Sequence, residues 1–161
     1  MKQHPYQPGH LLDYLKATFL HKVVTESRSA AGNWLQFTLE KIEKGTSTIS
    51  LPIRPEMANP FGMIHGGMMA LAIDEAIGWA VVSLESPTFY TSVNLQVDFL
   101  YAIKVGERML VSAEVVRHGK KMIYVKSEVH HENGTLLATA TSHLVVTGMQ
   151  ANTPNNYLLS L

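Results

Sequence analysis

The chain has 161 residues, 46% of them apolar, with 13 basic and 13 acidic side chains that cancel to zero formal charge, and no cysteine. This length suits one domain, which would bury roughly 70% of the surface of its unfolded chain. Balanced charge offers no field for a polyanion and argues against nucleic acid or an anionic membrane as partner. The lack of cysteine excludes disulfides, thiolate zinc sites and a thiol nucleophile, and fits a reducing compartment.

Met1 to Gly9 carries Pro5 and Pro8 where a targeting segment would have a basic start and an apolar stretch, so a cytoplasmic protein is expected. Leu11, Leu12, Leu15, Phe19, Leu20 and Val23 follow helical spacing and predict an amphipathic helix over residues 10–24. Leu35, Phe37 and Leu39, then Ile49, Leu51 and Ile53, alternate with polar neighbours on either side of Gly45 and predict a hairpin. After a turn-rich stretch with Pro55, Asn59 and Pro60, an apolar run extends from Gly66 to Leu84. Asp74 and Glu75 at its centre argue against a membrane span and for a buried helix, apolar nearly all round and in need of cover on most faces.

Beyond that helix the period becomes two. Val93, Leu95, Val97 and Phe99 alternate with Ser92, Asn94, Gln96 and Asp98, which predicts a strand with one wholly polar face. Val111, Ala113 and Val115, then Ile123, Val125 and Val129, mark two strands about the turn His118, Gly119, Lys120. Asn133 and Gly134 predict a two-residue turn into a last strand over residues 136–146. The order of helix, two strands, long helix and four strands reads as α+β with an antiparallel sheet curved around one helix. A polar tail over residues 150–161, closing on Tyr157, Leu158 and Leu159, reads as a frayed end or a short arm on a neighbour.

The chemistry concentrates at the start of the long helix. Gly66 and Gly67 would leave the first helical N–H groups uncovered at the positive end of the helix dipole, a site for a carbonyl oxygen acquiring negative charge. Asp74 or Glu75, on an otherwise apolar helix, supplies a partly desolvated carboxylate suited to act as base or nucleophile. Eight residues separate Gly66 from Asp74, about 12 Å along the axis, too far for both to act on one carbonyl within one chain. A two-fold pair of antiparallel helices would bring the amide end of one to the carboxylate of the other.

The string Asn59 to Gly67, with Asp74 nine positions after His65 and Ser92 on the next strand, resembles the hotdog-fold acyl-CoA thioesterases of the phenylacetate-degradation, PaaI-like, type over about residues 33–147. The resemblance implies an α+β hotdog fold, an antiparallel sheet wrapped around one long central helix, in a single domain with an N-terminal helix added. It also implies hydrolysis of an acyl-CoA thioester without a metal or other cofactor, coenzyme A being part of the substrate. The Gly66 N–H would hold the thioester oxygen beside Gly67, with His65 and Asn59 orienting substrate or water. Asp74 of the neighbouring subunit would attack or activate water placed by Ser92. Arg117, His118, Gly119 and Lys120 resemble the segment that meets the coenzyme A phosphates, and the assembly would be a homotetramer made of two dimers. Where many relatives have a basic residue and a proline after the first long strand, this chain has Tyr101 and Ala102.

Taken without the resemblance, several of these residues have plainer readings. His65 serves equally as a satisfied histidine holding the loop, Asn59 as a turn residue before Pro60, and Ser92 as a strand hydroxyl. Arg117, Lys120 and Lys121 make a solvated hairpin tip, and Glu75 is solvated or paired. His130 and His131 are adjacent on a strand and point apart, a poor metal pair. Two other functions stay open: a hydratase or dehydratase of acyl thioesters on the same fold, and a non-catalytic acyl-CoA sensor.

Overall fold

The structure, a computed structural model, describes residues 10–150. The leader Met1 to Gly9 and the tail beyond Gln150 lie outside the described residues, and so do the expectations placed on them.

The first helix, α1, spans Leu11–Phe19. It stops five residues short of the expected end because Leu20 turns extended and His21 takes a positive φ of 59°. From there the chain runs along the next strand, His21 N–H donating to Leu39 O at 2.8 Å and Val24 N–H to Phe37 O at 2.8 Å. Val23, at 56% exposure, therefore does not join the packed face.

A short helix not foreseen in the sequence reading, α2, spans Ala30–Leu35. Its N-cap Ser29 accepts the Gly32 N–H, and Gln36 closes it in the left-handed region, so Leu35 belongs to a helix and not to the strand expected there. Arg54 fastens its far end, donating to the carbonyls of Leu35 and Trp34 with its guanidinium over the Trp34 ring.

The hairpin strands are β1, Thr38–Glu43, and β2, Thr46–Pro52, with Gly45 at φ 80° between them. A short 3-10 turn, Pro55–Met57, leads to the long helix α3, Gly66–Val82. Four strands follow: β3, Thr88–Phe99; β4, Arg108–His118; β5, Met122–His131; and β6, Leu136–Gln150. All pairings are antiparallel, in the order β1-β2-β4-β5-β6-β3. The turn into β6 holds three residues where two were expected: His131 N–H meets Thr135 O, and Gly134, at φ 92°, donates to His131 O.

α3 packs on β2, β4 and β5. Met69, Ala72, Ile73, Ala76, Ile77 and Ala80 enter a core shared with Ile49, Leu51, Val111, Val125 and Val129. Phe19 and Phe37 meet Trp79 edge to face, seating the N-terminal segment against α3. Cover on α3 is not complete, since Gly67, Asp74 and Gly78, at turn-and-two-turn spacing, share an exposed stripe. No helix of the described residues is long and apolar enough to cross a membrane.

Candidate functional site

The loop into α3 is built by Asn59. Its side-chain oxygen accepts the N–H groups of Phe61 at 2.9 Å and Met63 at 3.2 Å, while its own N–H donates to Met63 O. Two donors on one oxygen settle the orientation of the amide, leaving its NH₂ group directed away from the loop. The turn role and the orienting role proposed for Asn59 therefore use different atoms of one side chain.

His65 is the N-cap of α3. Its Nδ1 accepts the Gly67 N–H at 2.9 Å, and its own N–H is held by Met57 O. The expectation of two open amides at this helix start is thereby corrected. Gly67 is spent on the cap, a reach of two residues that the histidine side chain makes easily, whereas the Gly66 N–H has no partner among the described residues. A side chain at Gly66 would meet the Phe99 ring at 3.2 Å, so glycine is what lets the end of β3 approach the open amide.

Asp74 lies on the exposed stripe of α3, and Ser92 of β3 is the polar side chain that acts on its carboxyl. The apolar surroundings of the helix raise its carboxyl above the usual aspartate range, and the Ser92 hydroxyl, donating to it, partly offsets that rise. Ser92 reaches Asp74 because of a break in β3. Ser92 pairs with Leu144, but the register shifts before Asn94, which pairs with His143. Val93 is the extra residue of a bulge, so Ser92 faces the helix while Asn94, Gln96 and Asp98 face the opposite side. The alternation that grouped Ser92 with those three is corrected by that one residue.

Glu75 turns away from the open stripe. It accepts from the Ser29 hydroxyl at the N-cap of α2, and burial raises its carboxyl above the usual glutamate range, with Ser29 and Trp79 partly offsetting the rise and the Asp74 charge adding to it. Of the two readings left open for it, it is paired.

The basic hairpin between β4 and β5 divides between the two faces of the sheet. His118 pairs with Ile123, on the helix side, and its Nε2 lies 3.1 Å from the Tyr90 hydroxyl. Arg117 pairs with Tyr124, and Tyr124 with His143, on the outer side. There Arg117, Gly119, Lys120, Lys121, Met122, Tyr124 and His143 line an open hollow of about 840 Å³, the Tyr124 and His143 rings lying with centroids 4.9 Å apart. Arg117, Lys120 and Lys121 have no carboxylate partner among the described residues. His130 and His131 lie near different acids, Glu128 and Glu107, and His131 also accepts the Asn133 N–H of the hairpin turn.

Gly66 and Asp74 thus present an unpartnered donor and a desolvated acid two turns apart on one helix, with Ser92 at the acid and Asn59 and His65 framing the donor. Ser29 and Arg54 went unremarked in the sequence reading. A serine followed by two alanines was the available signal for the Ser29 cap.

Residues 61–138, which include Gly66, Asp74, Ser92 and the basic hairpin, match the model of the Thioesterase superfamily. A candidate esterase of Sulfurisphaera tokodaii is 30% identical over 128 residues, 78% of this chain and 94% of its own. Acyl-coenzyme A thioesterase 13 of Homo sapiens is 25% identical over 126 residues, 76% of this chain and 90% of its own. Among solved structures, the PaaI protein of the Escherichia coli phenylacetic acid degradation operon superposes with a TM-score of 0.72 at 19% identity, covering 76% of this chain and 88% of that one. The chain belongs to the Thioesterase superfamily and has the hotdog fold of its PaaI-like members.

Proposed function

We propose that this protein hydrolyses acyl-CoA thioesters at a site completed by two copies of the chain. The observation that carries the reading is the open Gly66 amide on the same helix as the Asp74–Ser92 pair. The thioester oxygen sits on the Gly66 N–H of one subunit, where the helix dipole favours the charge it gains. Asp74 of the partner subunit supplies the carboxylate. Water adds to the carbonyl carbon, the C–S bond breaks, and the proton taken from water passes to the departing thiolate. In the direct route the carboxylate adds first, and water then hydrolyses the anhydride. Ser92 holds the carboxylate, and the free amide group of Asn59 orients substrate or water. His65 acts from the loop side by fixing the start of α3.

A dimer is favoured by what one chain leaves uncovered. β3 is a sheet edge, and Val93, Phe99, Leu100 and Tyr101 are each more than half exposed along and just beyond it. The Gly67, Asp74, Gly78 stripe lets a second helix approach closely. A tetramer would form from two such dimers. The basic hairpin, with Arg117 and Lys120 unpaired among the described residues, suits the coenzyme phosphates. The name of the human relative supports acyl-CoA as the substrate class.

The test is thiol release from a panel of acyl-CoA esters by wild type and by Asp74→Ala, with enoyl thioesters included. Release that vanishes in the variant while its oligomer stays intact supports the assignment; an unchanged rate removes Asp74 from it. Loss of the enoyl absorbance without thiol release would instead mark a hydratase, and stable binding without turnover a sensor. A single turnover in ¹⁸O-water separates the two routes, because label entering the protein requires the anhydride.

A further inference from the structure

The segment between α1 and β1 bridges the two elements that carry the Asp74–Ser92 pair. On the α3 side, the Ser29 hydroxyl donates to Glu75, the residue after Asp74. Gly32 sits so close that a side chain there would lie 2.5 Å from Glu75 Oε2. On the β3 side, the Arg28 guanidinium lies 5.0 Å from the centre of the Phe89 ring, three residues before Ser92. The segment is held at its far end by Arg54 on the carbonyls of Trp34 and Leu35. Two independent attachments, one residue apart on the segment, therefore tie α3 at the residue after Asp74 to β3 three residues before Ser92, which faces the helix.

We propose that Glu75 is a positioning residue for the Asp74–Ser92 pair: latched to Ser29, it holds the Arg28–Leu35 segment across α3 and β3 and so sets the separation at which Ser92 meets Asp74. This rests on the reading of Asp74 as the reacting carboxylate. The geometry explains why two adjacent acids on an apolar helix are kept. A one-residue step turns about 100° round the axis, so one carboxyl faces the open stripe and the other is free to anchor. It also bears on Gly32, where a side chain would meet the Glu75 carboxyl and require it to shift. The groups acting on the two carboxyls are Ser92 on Asp74, and Ser29, Trp79 and Asp74 on Glu75; no cation pairs with either among the described residues.

The latch is tested on Asp74 itself, by ¹³C-carboxyl NMR titration of the full chain in a cycle of Ser29→Ala, Ser92→Ala and the double variant. Ser92→Ala raises the Asp74 midpoint by removing the donor that lowers it. If the latch holds that donor in place, Ser29→Ala raises the midpoint in the wild-type background and adds nothing comparable in the Ser92→Ala background. Equal shifts in both backgrounds, or none in either, overturn the proposal. Ser29→Gly repeats the cycle with a residue tolerated at a helix N-cap, should Ser29→Ala fail to fold.

Kinetics supply the second arm. Glu75→Ala lowers kcat by about 10-fold or more at little-changed KM, because misplacement costs chemistry more than binding. Glu75→Gln, which retains an acceptor for Ser29 and Trp79, restores kcat to within about 3-fold of wild type. Glu75→Ala at wild-type kcat overturns the positioning role. A wild-type protein that releases thiol from no ester would remove the thioesterase reading, while the titration cycle still decides the latch.

Discussion

Ser92 of β3 faces α3, where its hydroxyl acts on the carboxyl of Asp74, only because Val93 bulges out of the strand. Without that extra residue Ser92 would share the outer face with Asn94 and Asp98. The acid at the centre of the proposed chemistry thus owes its hydroxyl partner to an irregularity, and its raised carboxyl to the apolar helix beneath it.

That rise makes ionised Asp74 a stability cost. The folded protein holds the Asp74 proton above the pH at which the unfolded chain releases it, so stability falls as pH rises from the ordinary aspartate range through the raised value. Asp74→Asn, while losing catalysis, is expected to melt higher than wild type at neutral pH, and the difference to shrink as pH falls from the raised value toward about 4, below which both side chains are neutral. Differential scanning calorimetry across pH 3.5–8 (roughly the span of the window) checks this; a variant that melts lower at neutral pH would contradict it.

Gly66→Ala places a methyl group 3.2 Å from the Phe99 ring, on the residue that carries the open amide. Phe99 is 56% exposed and has room to shift, so folding should survive. The amide itself is kept, so the loss falls on access to it, and kcat is expected to fall by about 10-fold, short of the roughly 10²-fold seen when an oxyanion donor is removed outright. Steady-state kinetics beside a thermal melt separates the two effects.

His65→Ala removes the cap on the Gly67 N–H and is expected to cost about 1 kcal/mol of stability, the usual size for an N-cap. His65→Asn restores a short acceptor at the same position and should recover most of it. Denaturant unfolding of the three proteins reads the outcome, and equal midpoints would show that the imidazole cap contributes nothing.

Arg117→Glu and Lys120→Glu on the hairpin tip should raise KM for acyl-CoA several-fold with kcat little changed, and flatten its dependence on salt, because neither cation has a carboxylate partner among the described residues. KM that responds to neither charge reversal nor ionic strength would place the coenzyme phosphates elsewhere.

Local pattern carried much of the architecture. The period-two runs located β3 to β6, Gly45 marked the first hairpin, and the apolar run with its glycine pair marked the start of α3 at Gly66. Less of the N-terminal third was legible. α1 shares its apolar spacing with Leu20 and Val23, yet Leu20 and Val23 bridge to β1, because backbone groups left open along that strand take hydrogen bonds from a segment with no strand pattern of its own. α2 has too few residues for a helical period to show, and its Ser29 cap is anchored by Glu75, 46 positions away.

Within the candidate site the division is sharper. The residue types and the eight-residue step from Gly66 to Asp74 follow from the chain alone, since helical geometry converts spacing directly into distance and face. Which glycine amide stays open, which face Ser92 takes and which acid is tethered were decided by tertiary structure. His65 chooses Gly67 through its loop conformation, a bulge in β3 reverses the face at Ser92, and α2 captures Glu75. The first depends on a loop that the Met57 carbonyl holds, the second is a one-residue departure from a regular period and the third a contact between distant segments, and none leaves a repeating trace in the order of the residues.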